Sequence, residues 1–212
     1  MPTVISQPPP LRLAIAPGVT SSRLSDLLAL QRAEEPEVTI ALLEVRGDEI
    51  LAGLKDGHYD AAMSLQGATD SALHTQPLWI EHMAVAMPLR SSLMDHAKLA
   101  IADLLDHPVF RWQAESCPLL DQRLSSLPAV SRQSTQYVAS FEMLALKVAA
   151  GYGVGICTQS RIERAHQWGL IMRSLVDGPY EVVTYLQRPY VQATPATERF
   201  ERRALQIGSR SG

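Results

Sequence analysis

The sequence predicts an α/β protein built on parallel strands, and two stretches carry that reading. Between residues 11 and 65, strand-like and helix-like runs alternate as β-α-β-α-β, an order that needs parallel strands joined by right-handed crossovers. Between residues 140 and 158, S-F-E-M-L-A-L-K-V-A-A-G-Y-G-V-G-I-C-T reads as a capped helix, a glycine-spaced turn and a buried strand. At 212 residues the chain is long enough for one large domain or two small lobes.

Taken in order, residues 1–10 end in three prolines and form an extended lead-in. Leu11, Leu13 and Ile15 alternate as a strand, which Pro17-Gly18 breaks. Thr20, Ser21 and Ser22 are candidate caps for a helix whose face is Leu24, Leu27 and Leu28 and which runs to about Arg32. Val38–Val45 is apolar enough to predict a strand buried on both faces. Gly47-Asp48 punctuates, with Asp48 expected to cap a short helix through Ile50, Leu51 and Leu54 that stops at Gly57. Asp60–Leu65 is the third strand, and Leu78–Met87 is a strand-like run closed by Pro88. Val109–Trp112, Gln133–Ala139 and Leu170–Leu175 read as strands, and Cys117–Leu124 and Ser160–His166 as helices. In the central unit, Phe141, Leu144, Ala145, Val148 and Ala149 share one helical face, Ser140 caps it and Gly151 ends it. Glu181–Gln187 alternates in part, and Thr194-Pro195 starts a last helix with Phe200, Ala204 and Leu205 facing inward. Gly208–Gly212 is read as a tail.

The run V-A-A-G-Y-G-V-G-I at 148–156 resembles the signature of the effector-binding domain of LysR-type transcriptional regulators. The segment L-K-D-G-H-Y-D-A-A-M at 54–63 and the Ala102–Pro108 stretch resemble further segments of the same family, so the likeness spans about 11–207. It implies a periplasmic-binding-protein-like (type 2) fold: two Rossmann-like lobes joined by two crossings. Lobe I would comprise residues 11–84 plus 187–207 and lobe II residues 85–186, with Leu78–Met87 and Glu181–Gln187 as the crossings and 1–10 and 208–212 as tails. It also implies a small-molecule effector and a homodimer, or a tetramer in a full-length regulator. DNA would be read only through a helix-turn-helix domain outside this chain. The alternative is a stand-alone cytoplasmic solute-binding protein with no coupling to DNA.

Composition is consistent with this. Formal net charge is −3, which gives the bulk of the chain no electrostatic affinity for nucleic acid. Cys117 and Cys157, without a C-x-x-C or a dense framework, suggest free thiols in a cytoplasmic protein, although one disulfide between them remains compatible with the sequence. No apolar run approaches the roughly 20 residues of a membrane helix, so no membrane partner is expected. The six histidines are scattered and offer no metal-ligand spacing. Gly151, Gly153 and Gly155 fall one residue short of the dinucleotide fingerprint and stand between helix and strand in the wrong order for it. The phosphate-loop and G-x-S-x-G motifs are absent from the sequence. The expectation is a binding module, not an enzyme, with no cofactor and no metal.

In parallel α/β lobes, ligands bind beyond the carboxyl ends of strands. That rule gives candidate ligand-binding residues Gly18, Thr20, Ser21 and Gly47 in the first lobe, and Trp112, Gln113, Ser140, Phe141 and Thr158 in the second. Gly18 and Gly47 stand where the family usually has Ser or Thr, so a carboxylate would meet fewer donors there. An organic anion is the favoured effector, bridging both lobes, and Gly18, Gly47 and Trp112 leave room for a bulkier or less charged one. The leucine excess of the first helix, Leu24, Leu27, Leu28 and Leu30, is the expected dimer interface.

Overall fold

Alternation of Leu11, Leu13 and Ile15 with Arg12 and Ala14 gives β1 (Leu11–Ile15), the centre of the first sheet. The computed structural model describes residues 9–19, 22–115, 117–127, 135–191 and 193–209. The chain forms two units, one running up to Trp79 and resuming at Val183, the other covering Ile80–Val182. It passes from one to the other inside β4 (Leu73–Pro88) and returns inside β9 (Glu181–Pro189). The divides fall a few residues before the 84/85 and 186/187 boundaries read from the sequence.

In the first unit, β1 pairs in parallel with β2 (Ile40–Glu44) and β3 (Ala61–Ser64), and β9 lies antiparallel to β3 with Ala62 opposite Gln187. Helices α1 (Ser22–Glu34), α2 (Gly47–Lys55) and α6 (Pro195–Ser209) complete it. Leu13, Leu27, Leu54, Met63 and Phe200 are sealed in one core. The expectation that Val38–Val45 is buried on both faces is wrong. β2 pairs only with β1 among the described strands, and at this edge Leu42 is 52% and Leu43 38% exposed. The last helix also runs further than expected, through Gly208 to Ser209, with Leu205 turned outward and Arg203 and Ile207 inward. Gly208 is packed so closely that a Cβ there would stand 2.4 Å from the Leu78 carbonyl oxygen. Asp48 does not cap α2; it pairs with Arg46 at 3.0 Å in solvent.

Burying the Arg203 side chain requires compensating charge. Its Nε donates to Glu34 at 2.6 Å, and its Nη1 to Gln31 at 2.8 Å and Glu35 at 2.6 Å, tying α6 to α1. Arg199 adds a second guanidinium on Glu35.

In the second unit, β5 (Val109–Trp112) runs parallel to β6 (Thr135–Val138) on one side and β7 (Val154–Thr158) on the other. β4 pairs antiparallel with β7 and with β8 (Leu170–Ser174). Its helices are α3 (Pro118–Ser125), α4 (Phe141–Ala149) and α5 (Gln159–Arg164). Cys117, expected as the first residue of α3, stands just before it with Pro118 opening the helix. The expected cap of α4 is present, with Ser140 Oγ accepting from the Met143 amide at 3.1 Å. Phe141, Leu144, Ala145 and Val148 are buried.

The glycine-spaced turn acts through packing. Gly151 takes φ +80°, a left-handed value that ends α4 without a Cβ penalty. At Gly155 a Cβ would meet Leu144 Cδ2 at 2.5 Å, so the residue lets α4 lie close on β7.

Candidate functional site

The carboxyl ends of the neighbouring parallel strands β6, β5 and β7 bring together Ser140, the Trp112–Glu115 turn and Thr158 in the second unit. The half-buried Trp112 ring is fixed by its Nε1 donating to the Ala139 carbonyl at 3.0 Å. Phe141, the first residue of α4, lies against Trp168 with ring centroids 6.4 Å apart. The Arg161 guanidinium joins the two expected aromatic residues, lying 4.5 Å from the Trp112 centroid and 5.8 Å from that of Phe141. Such a desolvated cation–π arrangement contributes roughly 1–2 kcal/mol and holds the rings in place.

Behind Arg161 stands Glu115, 1% exposed. Its carboxylate accepts from Arg161 Nε at 2.7 Å, from Thr158 Oγ1 at 2.8 Å and from the Thr158 amide at 3.1 Å. Burial pushes the Glu115 pKa up; the Arg161 charge and the bonds from Thr158 oppose that shift without overcoming it. Arg111, equally buried, donates from Nη2 to the Glu115 carbonyl at 3.1 Å and from Nη1 to Asp121 at 2.8 Å. Glu115 is thus fixed through both backbone and side chain. Next to this cluster Ser160 donates to Glu81.

The expected residues fall into three groups. Trp112, Ser140, Phe141 and Thr158 gather in this cluster, Phe141 and Thr158 buried within it, with Gln113 exposed in the adjoining turn. Thr158, expected to offer donors to a ligand, directs its amide and hydroxyl at Glu115. In the first unit Gly18 and Gly47 follow the carboxyl ends of adjacent strands β1 and β2. Gly18 is buried with φ +93°, and Gly47 is exposed as the first residue of α2. Thr20 and Ser21 lie outside the described residues. Glu115, Arg161 and Arg111 were missed by sequence reasoning. The visible signal was Arg111 inside the apolar strand V-F-R-W and Glu115 in the turn after it, where a charge must find a partner if it is buried; Arg161, in the polar helix Q-S-R-I-E-R, carried no such signal.

Two cavities lie away from this surface. One of about 610 Å³ in the first unit is lined by Leu11, Val38, Asp60 and Pro195, at the amino ends of the parallel strands. One of about 420 Å³ in the second unit lies between α3 and the Asp177–Tyr180 turn. Neither includes a candidate ligand residue. Among the described residues no group of His, Cys, Asp and Glu is arranged to hold a metal ion.

The leucines of α1 are spent internally: Leu24 and Leu27 are buried, and Leu28 and Leu30 pack against the same core. They leave little apolar surface for the expected dimer contact. Exposed apolar side chains stand instead on the edge strand β2 and on α4, where Leu146 is 62% exposed.

The family model described as the LysR substrate binding domain matches residues 7–207, and the chain belongs to that family. The effector-binding domain of QuiR, solved in complex with shikimate, superposes with a TM-score of 0.80 at 16% identity, covering 96% of this chain and 98% of that one. The BenM effector-binding domain with its effector benzoate gives 0.80 at 19% identity, covering 95% and 93%. The architecture is therefore the type 2 periplasmic-binding-protein-like fold of LysR effector domains. A curated relative, the "Probable hydrogen peroxide-inducible genes activator" of Mycobacterium avium, is 25% identical over 155 residues, 72% of this chain and 50% of its own length. The chain thus spans about half the length of that relative. No helix among the described residues is long and apolar enough to cross a membrane.

Proposed function

We propose that this chain is the sensing domain of a LysR-type transcriptional regulator, binding a small effector and passing the signal to a DNA-binding domain. The observation that carries the reading is the half-buried Trp112 ring, backed by the buried Phe141 and held by Arg161 at the carboxyl ends of three parallel strands. The effector acts by binding one arrangement of the domain better than another, since equal affinity shifts nothing. Family membership favours this regulatory role over a stand-alone solute carrier or an enzyme, and a regulator of this kind works in the cytoplasm.

The test is a thermal-shift screen of metabolites on the purified chain, repeated with Trp112→Ala and Ser140→Ala. An effector at about 100 times its Kd adds about 2.7 kcal/mol of stability. Trp112→Ala is expected to remove most of the resulting rise in Tm and Ser140→Ala to weaken it. An effector that protects both variants as well as the parent places binding elsewhere.

The peroxide-inducible relative raises a thiol-based alternative. Both cysteines are free and buried, and burial, with Glu115 adding to it, pushes the Cys157 thiol well up. A sensing thiol needs a reachable thiolate. Neither cysteine of the native chain is expected to react with Ellman's reagent within an hour, and both are expected to react in guanidinium. Rapid labelling of one native thiol would revive the alternative.

We further propose that the chain forms a homodimer through Leu42 and Leu43 of β2 and Met143 and Leu146 of α4, exposed apolar residues on a sheet edge and a helix. Sedimentation at tens of micromolar is expected to show dimer, and Leu146→Glu to weaken it about tenfold or more. A parent chain that sediments only as monomer removes the proposal.

A further inference from the structure

We infer that Glu115 is a built-in anion that occupies the carboxylate-binding position of the second unit, so that this surface selects a neutral or cationic effector and excludes a carboxylate. The inference rests on the sensing role proposed above and specifies the ligand class. The donors that a carboxylate would seek beyond β7 are the Thr158 amide, the Thr158 hydroxyl and the Arg161 guanidinium. Each of them bonds to Glu115, at 3.1, 2.8 and 2.7 Å.

The carboxylate is no chance visitor from a mobile side chain. It is 1% exposed, and Arg111, itself 1% exposed, anchors its carbonyl from below the turn. The Glu115 amide also closes the turn on the Trp112 carbonyl at 3.1 Å. A ligand carboxylate arriving here meets donors already engaged and a like charge behind them, and such juxtaposition disfavours the wrong partner.

What remains for a ligand is the half-buried ring of Trp112 beside a guanidinium whose charge Glu115 balances. Flat, uncharged or weakly cationic molecules suit that surface. The sequence expectation of an organic anion is thereby narrowed for this unit: Thr158 holds an anion, and the anion belongs to the chain.

Removing the side chain should turn the position into a receptor for a free carboxylate. Glu115→Ala leaves the Thr158 donors and the Arg161 Nε without their acceptor and opens space for a small acid. Propionate, a small acid one carbon longer than the acetate-sized fragment that the substitution removes, and propionamide, its neutral counterpart, are titrated against parent and variant while Tm is followed. The parent is expected to respond to neither. Glu115→Ala is expected to gain a saturable rise in Tm with propionate, binding it about tenfold or more tighter than the parent does. Propionamide should give little rise, and adding Thr158→Val should abolish the propionate response.

If Glu115→Ala does not fold alone, recovery of its circular dichroism on refolding in propionate is the readout and counts in favour. Failure of propionate to stabilise or refold the variant overturns the inference. So does a saturable response of the parent to propionate that Thr158→Val removes. Neither result depends on the natural effector, so the sensing role stands or falls separately in the metabolite screen.

Discussion

Arg161→Met is expected to lower the unfolding free energy by about 3–5 kcal/mol at neutral pH, the usual loss when one partner of a buried ion pair is removed. The methionine keeps most of the apolar stem that packs near Trp112 and Phe141, so the loss is chiefly electrostatic. Glu115 is left with Thr158 alone to balance a buried charge. The pH dependence identifies the cause. Burial already holds the Glu115 pKa above its ordinary value, and removing the Arg161 charge raises it further. A carboxyl whose folded pKa exceeds its unfolded one contributes stability that is full below the unfolded pKa and lost as pH rises through the folded one. The deficit of Arg161→Met should therefore be larger at about pH 8 and shrink towards about pH 5, as Glu115 takes up a proton. Urea melts of parent and variant at the two pH values check this. A deficit that does not change with pH would mean that packing, not charge, is what Arg161 supplies.

Arg203→Ala is expected to cost about 2–3 kcal/mol, below the range for a deeply buried pair because Glu34 is partly solvated. Three bonds are lost at once, to Gln31 and Glu34 of α1 and to Glu35 just after it. Here the sign of the carboxylate shift is opposite to that at Glu115. Burial pushes the Glu35 pKa up, but bonds from Gln31, Arg203 and Arg199 together outweigh it and hold the group below its ordinary value. A lowered folded pKa contributes stability present above the unfolded pKa and lost as pH falls through the folded one. The parent should lose this contribution in acid. Arg203→Ala, in which Glu35 keeps only part of its support, should lose less over the same range. Denaturation curves from neutral pH into the carboxylate range test the pair, and parallel acid profiles would show that Glu35 does not depend on Arg203.

The two networks also mark the limit of what could be read from the chain alone. The helix-turn-strand at 140–158 was legible because each of its signals is local. Ser140 lies next to the amide it accepts from, Gly151 adopts its left-handed φ within the turn, and the stripe from Phe141 to Val148 repeats within one helix. The burial of β2 was misread for the converse reason. Val38–Val45 is as apolar as an inner strand, and only its lack of a second partner strand leaves Leu42 and Leu43 exposed. Likewise the leucines of α1 looked surplus to one core-facing stripe, but the core formed with α6 and the sheet takes up all of them to some degree.

At the candidate site, strand ends predicted from order and spacing located Trp112, Ser140, Phe141 and Thr158. Glu115 is separated from Thr158 by 43 positions and from Arg161 by 46, and no periodicity connects residues so far apart. The sequence by itself determined the α/β class, the family, the parallel strands and the strand ends at which Trp112, Ser140, Phe141 and Thr158 gather, because hydrophobic period, capping and turn chemistry act over a few residues. Only the tertiary structure decided that Thr158 faces a carboxylate of its own chain and that Arg161 stacks on Trp112. Charge pairing in a protein interior is set by distance through space after the strands have assembled, and a buried charge that finds a partner looks no different in the sequence from one that faces water.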